Sequence, residues 1–498
     1  MSIIPLFVVI PLGCAFLISL LGKRIKGLSD SLANLGMLVL VCLSIYSIFL
    51  VKEVGAQVYK IGGWIPPIGI SMVLDGLSSF MLVVVNLVAF LVAIFSIGYM
   101  KKYTAKWKFY TLFMLMLGGM NGVIVTGDMF NLFVFLEIAS IASYALVAFG
   151  IEHEELEASF KYMVMGEVAS LFILLGIALL YSLTSTLNMA DMARVLTASG
   201  TNSKLVLFVS VLFLTGFGLK AAIMPFHAWL PDAHPSAPAP ISAMLSGLLI
   251  KVLGIYALIR IFFNVLGAQP AMLNILLILG TISMVAGGLL AIGQEDIKRM
   301  LAYSSISQMG YIVLAIGIAT PLAILGALFH LINHAIFKSL LFLNSGAIEY
   351  STGTRDLREM GGLNARMPIT GTSSLIGSMS ISGIPPLSGF WSKLIIIFAA
   401  IQSRHYLLAL IAVLVSIVTL GYYLKLQRYA FFGKLKDKWK NIKEVPFTMR
   451  LSMVILALIS IVGGALLIPG IREVFLKAAT DAVYIGKDYA AVIFEAIK

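Results

Sequence analysis

Apolar runs of about twenty residues recur along the whole chain, separated by short loops that are basic or rich in proline and glycine. Each run can cross roughly 30 Å of hydrocarbon at about 1.5 Å per helical residue. The pattern predicts an all-α integral membrane protein with about 14 transmembrane helices. They are expected near 3–21, 29–51, 71–99, 107–126, 129–150, 159–182, 204–235, 239–262, 271–293, 299–318, 321–348, 366–403, 407–430 and 449–470. The first run has neither a basic leader nor a small-residue cleavage site, so it reads as a span and not as a secretory signal.

Two of these segments are too long. Span seven, at about 32 residues, would extend roughly 48 Å as a straight helix, and span twelve, at about 38, roughly 57 Å. Both contain breakers, Pro225 to Pro235 in one and Gly383 to Gly389 in the other, and each sets a lysine beside its break, Lys220 and Lys393. Two interrupted helices in corresponding places are expected of a transporter built from inverted repeats. The organisation expected is 1–106 for three N-terminal helices, 107–262 for a first five-helix repeat (spans four to eight) and 271–430 for a second (spans nine to thirteen). Residues 431–498 would then hold a basic loop, the last span and a C-terminal tail. In the tail Ile471, Val474, Ala478, Ala482, Ile485, Tyr489 and Val492 recur at helical spacing, which predicts an amphipathic surface helix or a partner contact.

Composition agrees: 60% of the 498 residues are hydrophobic and 12% charged, far from the soluble range. A net charge of +12 would suit a nucleic-acid binder, but the basic residues sit mainly in short loops between spans, which argues against that partner. Loops after odd-numbered spans hold 21 of the 35 lysines and arginines, and the opposite side holds nine, including Lys487 and Lys498. Because basic loops stay cytoplasmic, the expectation is a multi-pass plasma-membrane protein with both termini outside the cytoplasm. Cys14 and Cys42 have no metal-ligand spacing and read as small core residues.

Five cations remain within spans: Lys220, Lys251, Arg260, Lys338 and Lys393. Ionisable groups in hydrocarbon are costly and face a protein interior or a wet cavity, which makes them functional candidates. Lys220 could instead snorkel from its helix end, and Arg260, near the outer end of span eight, reads as a snorkelling interface residue. Glu137 lies mid-span with no charge within a turn, so it needs a partner or a proton, and Lys220 is the natural one; a structural polar pocket is the alternative. His330, His334 and Lys338 share one face of span eleven at i, i+4, i+8. The histidines suit a proton relay better than a metal site, for no thiolate or carboxylate accompanies them; helix–helix hydrogen bonding is the plainer reading. His227, Asp232 and His234 in the first break are candidates for proton access or support. Glu167, near the cytoplasmic end of span six, has no assigned role. Asp75 reads as a helix cap, and the loop Gln294–Arg299 as a solvated turn.

The motifs LDGLSSFML, Glu137 in its apolar helix, GFGLKAAIMPFHAWLPDAHPSAPAPISAMLSG, QEDIKRMLAYSSISQMGYIVL, FHLINHAIFKSLLFL and SGIPPLSGFWSK together resemble the antiporter-like proton-channel subunit family. That family includes the large membrane subunits of respiratory complex I, the A-type and D-type members of Mrp sodium/proton antiporters, and counterparts in membrane-bound hydrogenases and sulfane reductases. The resemblance spans roughly residues 70 to 430 and is strongest to the D-type and hydrogenase-type members. It implies that Glu137 and Lys220 pair, Lys251 is the central relay, His330 and His334 link the halves, and Lys393 is the terminal lysine. Some members carry glutamate at that last position, and the long lateral helix of certain relatives is absent. The function so implied is proton translocation within a multi-subunit membrane complex, with sodium as a second ion left open. No cofactor or metal is expected in this chain, which has neither a cysteine cluster nor a dinucleotide-binding glycine motif. Any redox step would belong to other subunits, leaving this one at most a translocase subunit. A stand-alone transporter of a small solute is the competing class. A passive membrane scaffold would leave the buried cations unexplained.

Overall fold

The computed structural model describes residues 2–199, 204–484 and 488–497. Ile485, Lys487 and Lys498, named above, lie outside the described residues. Among the described residues the regular elements are helices apart from a two-stranded hairpin, β1 (Gln57–Lys60) and β2 (Ser71–Leu74), paired antiparallel. Among the described residues, eleven helices are long and apolar enough to cross a membrane.

The helices in order are α1 (Leu6–Leu21), α2 (Leu28–Val54), α3 (Gly76–Tyr99), α4 (Lys106–Val125), α5 (Met129–Val147), α6 (His153–Thr184), α7 (Met189–Ser199), α8 (Lys204–Lys220), α9 (Leu230–Ser236) and α10 (Ala239–Val265). Then come α11 (Pro270–Ile292), α12 (Ile297–Ile318), α13 (Pro321–Thr352), α14 (Pro368–Ser382), α15 (Ser388–Gln402), α16 (Tyr406–Phe431) and α17 (Phe447–Leu467). Two short helices, α18 (Ala478–Tyr484) and α19 (Tyr489–Ile497), form the tail.

Local chemistry sets the helix ends. Asp75 closes a capping box with Ser78 at the start of α3, and Asp128, Asp296 and Thr320 accept a backbone N–H at the starts of α5, α12 and α13. Prolines open α11, α13 and α14, where a missing N–H costs nothing. The first break falls earlier than the prolines suggest. Helix α8 ends at Lys220, and the chain turns through Ala222, at φ 54, before α9 begins at Leu230. Pro231 and Pro235 then sit inside α9, Pro231 in its first turn. In the second break α14 ends on Gly383, whose φ of 83 suits a residue without Cβ, and α15 starts at Ser388.

The core is formed by α10, α12 and α13, whose apolar stretches are 100%, 94% and 94% buried, against 28% for α2 and 33% for α16 and α17. The outer helices expose large apolar side chains such as Phe16, Phe160, Leu171 and Leu407, as a lipid-facing surface does. Close helix contact needs small residues. A Cβ on Gly280 would lie 2.5 Å from the Leu314 nitrogen, so α11 and α12 pack backbone to backbone there. Helix α10 widens to π geometry over Leu245–Tyr256 and again over Arg260–Val265, the first stretch containing Lys251.

Two expectations are corrected, and the tail is placed. Arg260 does not snorkel: it is 3% exposed and grips Asp75 with both terminal nitrogens at 2.6 Å, because the hairpin and the start of α3 bring that carboxylate over the end of α10. The tail packs along its own chain. Its α18 packs on α3 and α19 on α7 and β1, while Asn264 donates to the Ala482 carbonyl at 3.0 Å. Cys14 is buried, but Cys42 is exposed, since its helix α2 lies at the periphery.

Candidate functional site

Lys220 is the last residue of α8, where its helix stops against the centre of α5. Its Nζ lies 3.8 Å from Glu137 Oε1 and donates to Ser140 Oγ at 2.9 Å and Tyr144 OH at 3.4 Å. Ser170 of α6 donates to the Glu137 carboxylate from the other side. The two charges therefore meet inside the bundle, Lys220 only 6% exposed. Trp229 pins the break by donating from Nε1 to the Leu219 carbonyl at 3.0 Å and by stacking on Tyr162 at 4.2 Å. A Cβ on Gly254 of α10 would fall 2.6 Å from the Ala221 Cα, so that glycine is what lets the turn after Lys220 rest on α10.

The other residues of the first break diverge. Asp232 leaves the interior and lies between Lys161 at 3.4 Å and Arg299 at 3.5 Å, part exposed. His227 is half-buried. His234 is wholly buried against Phe342, ring centroids 4.6 Å apart, and neither ring nitrogen has a hydrogen-bond partner in the protein.

Lys251, in the π stretch of α10, donates to the Ser246 carbonyl at 2.5 Å, and Ser246 Oγ is 2.7 Å from Ser305 Oγ on α12. Next along α12, Ser304 contacts Tyr423 OH at 2.9 Å and accepts from Tyr422 OH at 3.0 Å. Lys338 on α13 donates to that same Tyr423 OH at 3.2 Å. Hydroxyls of α12 and α16 thus flank the space between Lys251 and Lys338. His330 and His334 follow on the same face of α13, with ring centroids 6.4 Å apart. His330 Nδ1 is 2.9 Å from Ser392 Oγ, one residue before Lys393 on α15. Lys393 donates to Ser416 Oγ at 3.1 Å and stands 4.8 Å over the Tyr311 ring. Both nitrogens of His334 lack a hydrogen-bond partner among the described residues.

Several of these residues had no signal in the sequence. Serine and tyrosine are ordinary in spans, so Ser140, Tyr144, Ser170, Ser304, Tyr422 and Tyr423 stand out only once helix faces are assigned. The loop Gln294–Arg299 is likewise more than a solvated turn. Lys298 is 1% exposed, lies 2.9 Å from Glu349 and donates to the Ala237 carbonyl at 3.0 Å. This pair lines a cavity of about 710 Å³ at the helix ends that carry the basic loops, with Glu155, Ser236, Arg355 and Asp356 around it. There Arg358, hydrogen-bonded to Asp356, pulls that carboxyl down to about 2, so the rim stays charged. Among the described residues no cluster of three or more His, Cys, Asp or Glu is arranged to hold a metal ion.

The profile of the family described as NADH:quinone oxidoreductase/Mrp antiporter, TM, matches residues 126–419, and that of NADH-Ubiquinone oxidoreductase (complex I), chain 5 N-terminus, matches 64–110. The D-type subunit of the Na(+)/H(+) antiporter of Alkalihalophilus pseudofirmus is 38% identical over 87% of this chain and 87% of its own length. The N-type subunit of the NADH-quinone oxidoreductase of Desulforudis audaxviator is 37% identical over 76% of each. Among solved structures, a chain of an archaeal membrane-bound sulfane sulfur reductase superposes with a TM-score of 0.90 at 33% identity, covering 99% of both chains. A chain of an Mrp complex from a Dietzia species reaches the same score and coverage at 27% identity.

Proposed function

This chain belongs to the NADH:quinone oxidoreductase/Mrp antiporter family, and from that premise we propose that it is the proton-translocating membrane subunit of a multi-subunit ion-pumping complex. The observation that carries the reading is the Glu137–Lys220 pair at the broken end of α8, 3.8 Å apart inside the bundle. It is continued by buried Lys251, Lys338, His334, His330 and Lys393. Buried polar groups are satisfied by protein or by ordered water, so the unpartnered nitrogens of His234 and His334 support a hydrated path through this series.

In this mechanism a carboxylate beside an ammonium stabilises its charge. When Glu137 swings away, Lys220 loses that hold and passes a proton by water towards Lys251. From there it moves to His334, His330 and Lys393. Moving one charge against 100 mV costs about 2.3 kcal/mol, within the range of such a switch. The cavity above Lys298, close to His234, is the access route from the basic side; His227 and Lys338 support the path, whereas Asp232 acts at the surface. That cavity lies at the helix ends and not at mid-depth, which favours this reading over a solute transporter.

The finer organisation belongs to the same proposal. Helix α1 and the broken pairs α8–α9 and α14–α15 add three crossings to the eleven long helices, making 14. Residues 107–262 and 271–430 are the two inverted repeats, 1–106 the N-terminal helices and 431–498 the final loop, span and tail. The chain lies in the plasma membrane with both termini outside, works with other membrane subunits, holds no cofactor, and carries protons with or without sodium. The test is proton transport by the assembled complex in proteoliposomes. Lys220→Ala and Lys393→Ala should each abolish transport while leaving assembly intact, and wild-type rates in both would end the proposal.

A further inference from the structure

Glu167 is used by nothing described so far. It stands on α6, a helix roughly 48 Å long at about 1.5 Å per residue, two turns past the charged start of that helix and one turn from Ser170, the residue that holds Glu137. The side chain is exposed, and no hydrogen bond or ion pair holds it among the described residues. It is still close enough to Glu137 and Lys220 to interact with both charges. On its own face of the helix, at i−4, i−3 and i+4, lie Met163, Val164 and Leu171, all exposed and apolar. A lone carboxylate in such a stripe would face hydrocarbon in the isolated chain, an arrangement that intramembrane acids avoid.

Charge complementarity decides what covers it. We propose that this face of α6 is an interface with a transmembrane helix of a different subunit, one that presents a basic side chain to Glu167. A second copy of this chain cannot supply that charge, because its own mid-depth cations Lys220, Lys251, Lys338 and Lys393 are buried. The exposed cations on α6 do not reach it either. Six residues, about 9 Å along the helix, separate Glu167 from Lys161, the deepest exposed cation on α6, which is already taken by Glu157 and Asp232. The partner is thus a membrane helix with an apolar face and one lysine, arginine or histidine at the level of Glu167. Seated there, its charge acts on the Glu137–Lys220 pair through the Glu167 carboxylate. The inference rests on the reading that this chain works within a multi-subunit complex.

Two measurements test it, and both read assembly, not proton flux. Dicyclohexylcarbodiimide, which modifies carboxyl groups open to lipid, is applied to the full chain alone in nanodiscs and to the assembled complex in membranes. Mass spectrometry then follows the adduct at Glu167. At least tenfold protection in the complex is expected; equal labelling in both overturns the proposal. In the second, Glu167→Lys should cut co-purification of the other subunits at least fivefold, while Leu289→Lys, on the exposed face of α11, should not. Normal co-purification of Glu167→Lys overturns it too. A complex that depends on Glu167 to assemble but moves no protons would sink the proposed function and leave this interface standing.

Discussion

Replacing Glu137 with glutamine keeps the shape of the side chain and an oxygen to accept from Ser170, but it removes the charge opposite Lys220. At the observed 3.8 Å, two unit charges attract by about 4 kcal/mol at an effective dielectric constant of about 20. Lys220 keeps its neutral partners Ser140 and Tyr144 in the variant, so the whole of that attraction is not lost. If only a third of it drives the switch, roughly 1.4 kcal/mol, the rate should still fall about tenfold. Proton uptake into proteoliposomes containing the assembled complex, followed with a pH-sensitive dye and normalised to the amount of this subunit, measures the effect. Glu137→Asp retains the charge but draws it back by one methylene, and its rate should fall between the two. A Glu137→Gln complex running within twofold of wild type, beside an inactive Lys220→Ala complex, would refute the argument: Lys220 would then act without its carboxylate.

The buried polar contacts carry two further predictions. Arg260→Ala leaves the Asp75 carboxylate buried without its cation, a change that costs about 3–5 kcal/mol; it should lower the thermal unfolding midpoint in detergent and expose the tail to protease. Adding Asp75→Asn to that variant should recover part of the loss. Tyr423→Phe removes the hydroxyl shared by Lys338 and Ser304, and proton transport should slow about 100-fold, the lower end of what loss of a positioned proton-transfer group costs, with assembly unchanged. Unaltered transport would exclude Tyr423 from the path.

The spans were legible because a bilayer admits little else: with no water to satisfy the backbone, every apolar run must close its own hydrogen bonds as a helix. The broken helices were legible for a related reason, since proline and glycine punctuate α8–α9 and α14–α15 where the runs are too long for one crossing. Arg260 shows where such reading stops. Its distance from the helix end suggested snorkelling, yet its partner Asp75 is 185 positions away. Only the docking of α3 and the hairpin on the end of α10 brings the two together. Lys298 is a similar case, a residue in a charged loop that packing carries under Glu349 and the Ala237 carbonyl.

Length, breakers and charge act locally along the chain, so they were enough to read a helical membrane protein, two segments too long for one crossing, and the few ionisable residues inside apolar runs. The sequence could name Lys220 as a partner for Glu137, but only the packed helices bring Lys338 to Tyr423, His330 to Ser392 and Asp232 to the surface. That choice depends on which faces of distant helices come together, and a pattern repeated every 3.6 residues fixes a face without naming the face it will pack against.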